Sequence, residues 1–503
     1  MFTPSPYQEA IFDHVAHSED DLLVKAVPGS GKTTTSIEAC SRLSPLSDVL
    51  FLAFGKQIAT ELERKLPSNI EVSTSHSFGM SLIKRNTSKR AKVEPGKYRD
   101  YVFNNGRKLV NKKRVTSFYP LMRMIDIIRL SDTNIFSDDK ESLRQLRLCS
   151  ETYGVNGIKI FDTDLLQFIR AGIDWGIDWF QKTGEIDFCD MLYLPVELDF
   201  GTNSRFDYVF VDEVQDFSNL QIELMKKTVS DYGKFIMVGD PNQACFKFAG
   251  AGKASVATIQ NTFEPDVLPL SICYRCPTSH IELANRIYPI IEPRDNAPKG
   301  TVESYTITQS QVLSLAEEED LIICRRVSPL IGMCLDFIFE GIPAVVKGKG
   351  VKETLFRCFD EIEAQAGFRY SNVEKFLEDW YLNWAAIYSE QYENPKAAIS
   401  DLDDRYEAIQ ACIQRFEYCQ SFRDIKNVVN DIFKENDNAV QLSSIHSAKG
   451  LESNRVFLLE ANNMPFQIPG ATPDDMVQER NLHYIALTRS KDVLFLVEKD
   501  DDD

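Results

Sequence analysis

The sequence predicts an α/β protein with two parallel-sheet domains, each carrying an inserted, mostly helical subdomain. Three observations predict this. Short β-branched or aliphatic runs recur, and helical patterns follow them, which is the rhythm of parallel sheets. The rhythm stops twice, at about 81–183 and 351–435, where the text turns helical. At 503 residues the chain is long enough for three or four domains.

In chain order, Leu22-Leu23-Val24 is a strand running into a glycine loop, and Val49-Leu50-Phe51-Leu52 is a second. Ile58, Leu62 and Leu66 then fall four apart, on one face of a helix. Tyr208-Val209-Phe210-Val211 and Phe235-Ile236-Met237-Val238 are two more strands, and both run into acidic residues. Strand ends of open α/β sheets face ligands in this way. After residue 320 the strands are Leu321–Cys324, Ala344–Val346, Val440–Leu442, Val456–Leu459 and Val493–Leu496. The second break is rich in aromatics, among them Trp380, Tyr381, Trp384, Tyr388 and Tyr392.

Composition bounds the function. No apolar run is long enough to span a membrane, and Met1–Pro6 does not read as a secretory signal. Eleven scattered cysteines favour free thiols in a reducing compartment. The expected location is therefore cytoplasmic or nucleoid-associated, not secreted. Cys273 and Cys276 form a lone CxxC, without the second pair or the histidines of a structural zinc site. The net charge of −19 argues, taken alone, against a nucleic-acid partner. One local exception stands out. Twelve lysines and arginines lie between Lys84 and Arg114, opposed only by Glu94 and Asp100. Such a run is either a solvated face or a phosphate contact.

The chemistry is carried by two segments. Ala26-Val27-Pro28-Gly29-Ser30-Gly31-Lys32-Thr33-Thr34 follows the first strand, with Ala26 where the usual pattern has its first glycine. Its backbone N–H groups would close around phosphate oxygens, Lys32 would reach the β- and γ-phosphates, and Thr33 would bind Mg²⁺. Asp212-Glu213-Val214-Gln215-Asp216 ends another strand. Asp212 would hold Mg²⁺ through water, and Glu213 would take the proton of an attacking water. The implied cofactors are ATP and Mg²⁺.

From residue 8 to residue 489 the chain resembles the UvrD/Rep family of superfamily 1 helicases. The loop above resembles motif I, and Asp212–Asp216 resembles the DExQD motif II. Gln8 sits where the family reads adenine. Ala53-Phe54-Gly55-Lys56 is similar to motif Ia, Thr74–Gly79 to the following TxHxxG segment, and Ile186–Leu192 to the segment before motif II. Val238–Gln243, continuing to Gly250-Ala251, resembles motif III, and Leu270–Arg275 resembles motif IV. Ser444–Glu452 resembles motif V, and Gln478–Arg489 resembles motif VI. The motifs keep the family's order, which is far more specific than any one of them. The wording of motif Ia and TSHSFG leans toward the branch with the F-box DNA helicases, without an F-box segment before Gln8.

The resemblance implies two RecA-like domains, 1–80 with 184–265 and 266–350 with 436–503, with inserts at 81–183 and 351–435. It implies a site for ATP made by Gln8, Pro28, Gly29, Ser30, Gly31, Lys32, Thr33 and Thr34 together with Tyr274, Arg275, Glu452 and Arg489, in a cleft between the domains. Tyr274 would stack on adenine and Glu452 would reach the ribose. Lys32, Glu213, Gln243, Arg275 and Arg489 would be catalytic, with Gln243 sensing the γ-phosphate. Phe54, His76, Phe246, Phe248 and His446 would hold DNA, the phenylalanines by stacking on bases. Ala249 departs from the family, which often has an arginine there.

The expected function is a 3′-to-5′ DNA helicase or translocase, acting as a monomer on single-stranded DNA and 3′-tailed duplexes in replication, repair or recombination. Two rivals stay open: an ATPase subunit of a nuclease or recombination complex, and an RNA-directed motor. The second insert is short for the family, which fits either weaker self-inhibition or a protein partner docking at 351–435. Too little chain follows Arg489 for the nuclease domain some relatives append.

Overall fold

The computed structural model describes residues 3–201, 206–245, 255–347, 351–391, 395–434, 436, 438–468, 471 and 473–498. The chain divides into two compact units, Met1–Ser271 and Ile272–Asp503. Each is built on a six-stranded sheet in which every pairing is parallel. These are the two RecA-like domains that the sequence implies.

In the first unit the strands are β1 (Leu22–Ala26), β2 (Val49–Ala53), β3 (Ile70–Thr74), β4 (Phe206–Val211), β5 (Val229–Gly239) and β6 (Asp266–Leu270). Their order across the sheet is β3-β2-β4-β5-β1-β6. Central strands are covered on both faces, so β2 is buried along its whole length. Alternate side chains feed two cores. Leu22, Val24, Phe51 and Phe210 pack with Ile11, Phe12 and Leu62 on one face. Leu23, Leu50, Val209 and Met237 pack on the other with Phe78 and the inserted helices.

β6 lies just past residue 265, where the sequence reading ended the first domain. It pairs with β1 along its length and closes the first sheet. It sits at an edge, where Pro269 costs no ladder hydrogen bond that a central strand would need.

The inserted helices share a core with this sheet rather than forming one of their own: Ile128 and Ile169 belong to the same cluster as Leu50. The helix Ser75–Asn86 lies tightly against the helix Asp190–Glu197. A Cβ on Gly79 would stand 1.9 Å from the carbonyl oxygen of Met191, so only glycine permits this approach. A buried charge network completes the join. Lys97 Nζ donates to Asp190 Oδ2 at 2.6 Å and to the carbonyl of Gly176 at 2.7 Å. Arg129 reaches Asp190 Oδ1 at 2.7 Å, Asp187 Oδ2 at 2.8 Å and Asp126 Oδ1 at 2.7 Å, and its guanidinium lies 4.2 Å from the Tyr98 ring. The side chains of Lys97, Arg129 and Asp190 have no solvent exposure.

Removing one partner of a buried ion pair strands the other, at about 3–5 kcal/mol. Lys97→Met is therefore expected to lower the opening free energy of the insert by that amount, read by native-state hydrogen exchange in the helix Thr163–Thr183. Pairing it with Asp190→Leu should recover part of the loss. A change below about 1 kcal/mol in the single variant would show that the network is energetically neutral.

This network also settles much of the basic run. Lys97 is internal, Lys92 pairs with Glu185 and Glu94, and Lys108, Lys112 and Arg114 surround Asp164. Carboxylates far along the chain thus neutralise five of the twelve cations that the sequence offered to phosphate.

In the second unit the strands are β7 (Thr301–Thr308), β8 (Leu321–Cys324), β9 (Ala344–Lys347), β10 (Val440–Ser444), β11 (Ser453–Leu458) and β12 (Ser490–Glu498). The order is β7-β12-β11-β8-β10-β9. The helices Val351–Glu363, Val373–Gln391, Lys396–Arg415 and Phe422–Ile432 form the second insert. One continuous core joins it to the sheet, since Phe359, Trp380, Tyr388 and Cys412 cluster with Ile322, Leu442 and Phe457. The aromatics of this stretch are thus largely structural: Trp380 and Trp384 both donate to Glu361 Oε2, at 3.0 and 3.2 Å. Asp404 of the insert accepts from the backbone N–H of Val327 and Ser328, at the start of the helix Ser328–Phe339. Among the described residues no helix is long and apolar enough to cross a membrane.

Candidate functional site

The first unit gathers its polar residues at the carboxyl ends of β1, β4 and β5. Ala26 is the last residue of β1 and pairs with Leu270, an extended position that any residue adopts. The departure from glycine there is therefore harmless. Gly29 and Gly31 have φ of 67° and 79°, the left-handed region that favours glycine. The helix Lys32–Ser41 starts directly after them, and no side chain caps its first turn. Ser30 is 1% exposed, and its hydroxyl oxygen is buried without a hydrogen-bond partner. Left-handed glycines, an uncapped helix start and an orphaned buried hydroxyl together fit a phosphate group. Pro28, Thr33 and Thr34 belong to the same turn and helix start.

Lys32 Nζ stands 2.6 Å from Glu213 Oε1. Burial works against its positive charge, but Glu213, Asp212 and Asp240 outweigh burial and hold the ammonium above its ordinary value. Glu213 has φ 54°, a left-handed conformation that is strained for a residue with a side chain. Strain of this kind collects where a side chain must be aimed. Gln215 ties the strand ends together. Its Nε2 donates to Glu213 Oε2, and its Oε1 accepts from the backbone N–H of Asp240 at 3.0 Å. Asp240 in turn accepts from Gln243 Nε2 at 2.7 Å and from the Asn242 backbone at 3.0 Å. Burial pushes the Asp240 carboxyl up to about 6, against the pull of Lys32 and Gln243.

Asp212, Glu213 and Asp240 give this corner more negative than positive charge. Among the described residues, no three His, Cys, Asp or Glu side chains form a metal cage. Mg²⁺ bound to nucleotides suits such a place, since it takes one or two protein ligands and completes its shell with phosphate oxygens and water. Gln8 is 2% exposed. Its side chain accepts from the Ser5 backbone at 2.9 Å and donates to Thr35 Oγ1 at 2.9 Å, which fixes the amide against the helix that follows the loop.

The second unit brings together residues far apart in sequence. Arg275 Nη2 meets Glu452 Oε2 at 2.5 Å, and Lys491 Nζ meets Glu452 Oε1 at 2.8 Å. Burial opposes the charge on Glu452, yet Lys491, Arg275 and Arg489 keep its carboxyl below the usual range. Arg275 also donates to the carbonyl of Thr488 at 3.3 Å. Arg489 is 2% exposed and donates to the carbonyls of Ile485 at 2.9 Å and Leu451 at 3.4 Å. Tyr274, beside this cluster in sequence, is 42% exposed.

The residues expected to touch a strand divide. Phe54 follows β2 directly and is 40% exposed. His76 lies in the first turn of the helix Ser75–Asn86, and burial lowers its basicity. His446 follows β10; burial and then Arg325 push it down to about 3. Both histidines are therefore neutral at pH 7 and suited to hydrogen bonds rather than ion pairs. Phe246 and Phe248 lie outside the described residues, as do Ala249, Gly250 and Ala251.

Three residues of these clusters were missed as site residues in the sequence. Asp240 and Gln215 stood in quoted motifs, and strand ends were the available signal. Lys491 carried none, because its role comes only from facing Glu452.

Residues 7–264 match the UvrD/REP helicase N-terminal domain, and residues 205–500 match the UvrD-like helicase C-terminal domain. The chain is 22% identical to a probable DNA helicase II homolog of Mycoplasma pneumoniae, over 94% of this chain and 81% of the relative. It is 24% identical to DNA helicase II of Escherichia coli over 54% of this chain and 39% of the relative. It is 22% identical to F-box DNA helicase protein 1 of Schizosaccharomyces pombe over 97% of this chain and 57% of the relative. The chain thus spans less than two thirds of the length of the latter two.

Proposed function

Because the chain belongs to the UvrD/Rep family of superfamily 1 helicases, a family of ATP-hydrolysing enzymes, we propose that it is a motor that moves 3′ to 5′ on single-stranded DNA. The observation that carries the reading is the Lys32–Glu213 pair beside a loop suited to phosphate. Lys32 neutralises the β- and γ-phosphates, and Glu213 takes the proton of the attacking water. Thr33 and Asp212 hold Mg²⁺, which when bound neutralises phosphate charge. Gln243 senses the γ-phosphate through a network that includes Asp240 and Gln215. Gln8 and Tyr274 recognise adenine, Glu452 the ribose, and Arg275 and Arg489 supply positive charge as the phosphoryl group transfers.

Phe54, Phe246 and Phe248 hold bases by stacking, each worth roughly 1–3 kcal/mol whatever the sequence. His76 and His446 add neutral hydrogen bonds. An acidic chain with much of its basic run already paired makes few phosphate contacts. Single-strand binding is therefore expected to weaken only shallowly with salt, at a slope of about −0.7 per phosphate neutralised. We assign the motor to replication, repair or recombination as a monomer.

The test compares ATPase stimulation by DNA and RNA oligonucleotides, then unwinding of duplexes with 3′ tails, 5′ tails or none. DNA stimulation with unwinding of the 3′-tailed duplex is expected. Unwinding of the 5′-tailed duplex alone would reverse the polarity, and stimulation by RNA alone would replace DNA as the track. Strong stimulation with no strand separation would favour a motor subunit that serves a partner nuclease.

A further inference from the structure

The CxxC pair has no part in the functions above, yet it brackets two residues that do. Cys273 ends the short strand Ile272–Cys273, and Cys276 stands two residues before the helix Thr278–Asn285. Tyr274 and Arg275 are the two residues between. The backbone N–H of Cys276 donates to Cys273 Sγ at 3.3 Å. Cys276 Sγ lies 3.6 Å from the carbonyl oxygen of Thr488, the same oxygen that Arg275 Nη1 contacts at 3.3 Å. The Cys276 backbone therefore already touches the Cys273 sulfur, and the Cys276 thiol shares an acceptor with the Arg275 guanidinium.

We propose that Cys273 and Cys276 are a redox modification site, at which a hydroperoxide joins the two sulfurs in a disulfide and thereby displaces Tyr274 and Arg275. The division of labour is built in. Hydrogen bonding from Cys276, together with backbone donors and Arg275, holds the Cys273 thiol below its usual range against burial, which favours the thiolate. The hydrogen bond it gives to Cys273, and burial, keep Cys276 protonated. By contrast, burial pushes Cys334 and Cys412 up to about 12, which leaves them inert.

In the first step the Cys273 thiolate attacks the peroxide. An S–O bond forms, the O–O bond breaks, and the leaving oxygen takes the Cys276 proton. In the second step Cys276 sulfur attacks Cys273. The S–S bond forms, and the S–O bond breaks with release of hydroxide, which becomes water by taking back from solvent the proton that Cys273 lost as a thiolate. In sum, two thiols and one hydroperoxide give one disulfide, one alcohol and one water; with hydrogen peroxide the alcohol is a second water. Both sulfurs are buried, at 0% and 2% exposure, so the reaction proceeds through local opening of this segment.

The product pulls the sulfurs to about 2.05 Å and removes the thiol proton near Thr488. A covalent ring then closes over Tyr274 and Arg275. The contacts of Arg275 to Glu452 and to Thr488 depend on that backbone and shift with it. The consequence for hydrolysis rests on the motor reading above; the modification itself does not.

The full chain is treated with hydrogen peroxide, the disulfide is mapped by mass spectrometry, and ATPase is measured before and after dithiothreitol. A 273–276 disulfide, an ATPase loss of at least tenfold and recovery on reduction are expected. Cys276→Ser should keep the reduced protein's ATPase and resist the loss. Cysteines oxidised elsewhere with 273 and 276 still alkylatable would overturn the site. A mapped disulfide with unchanged ATPase would overturn its effect. If the reduced protein hydrolyses no ATP, the motor reading fails, and the disulfide map still decides the site.

Discussion

Arg489→Ala is expected to slow DNA-stimulated ATP hydrolysis by about 10³-fold or more, the lower range for loss of an arginine finger. Phosphoryl transfer spreads negative charge over the oxygens of the moving group, and a guanidinium stabilises that charge only if it is already aimed. Arg489 is held for such a task. Its Nε donates to the carbonyl of Ile485, its Nη1 to the carbonyl of Leu451 and its Nη2 to Thr488 Oγ1. These acceptors orient the fork. The alanine variant also strands those oxygens and lowers stability somewhat, so Arg489→Lys is the companion. Lysine keeps the charge and loses the planar fork, and an intermediate rate is expected from it. Single-strand binding, read by fluorescence anisotropy, should be unchanged in both. Normal steady-state turnover in the alanine variant would remove Arg489 from the catalytic set.

Glu213→Gln should lose turnover by about 10²–10⁴-fold while it still binds ATP, because a positioned general base contributes that much. The change is nearly isosteric, so the left-handed backbone at 213 stays as strained as before. The charge balance moves in favour of nucleotide binding. Lys32 now spends its charge on Glu213 at 2.6 Å, and the neutral amide releases it toward phosphate. Lys32→Ala is the opposite case and should abolish hydrolysis through loss of phosphate charge. Binding of a fluorescent nucleotide and phosphate release, measured on both variants, separate the two roles. Hydrolysis at the unmodified rate by Glu213→Gln would show that the water is activated elsewhere, and by Lys32→Ala that the phosphate charge is supplied elsewhere.

The sequence by itself determined what is local. The strands it revealed, such as Val49–Ala53 and Leu321–Cys324, are mostly short apolar runs. All but β9 among those revealed lie inside their sheets, where burial on both faces favours apolar side chains. Within the two six-stranded sheets, the strands that escaped notice, Ile70–Thr74, Asp266–Leu270 and Thr301–Thr308, are all edges. An edge faces solvent along one side and tolerates Glu71, Pro269 and Glu303, so its text looks like a loop. The phosphate loop and the acidic strand ends were legible for the same local reason: glycines, a lysine and carboxylates at fixed spacing need no distant partner to be recognised.

Tertiary structure alone decided which charges meet. Lys97 finds Asp190 across 93 residues, and Arg275 finds Glu452 and the Thr488 carbonyl across longer stretches still. A lysine reads the same whether it faces water, phosphate or a buried carboxylate, and only the packing of distant elements selects among them. That selection turned part of a basic surface run into an internal clamp. It also gave β6 to the first sheet, because a strand's partner is set by the pairing edge it reaches rather than by its own residues.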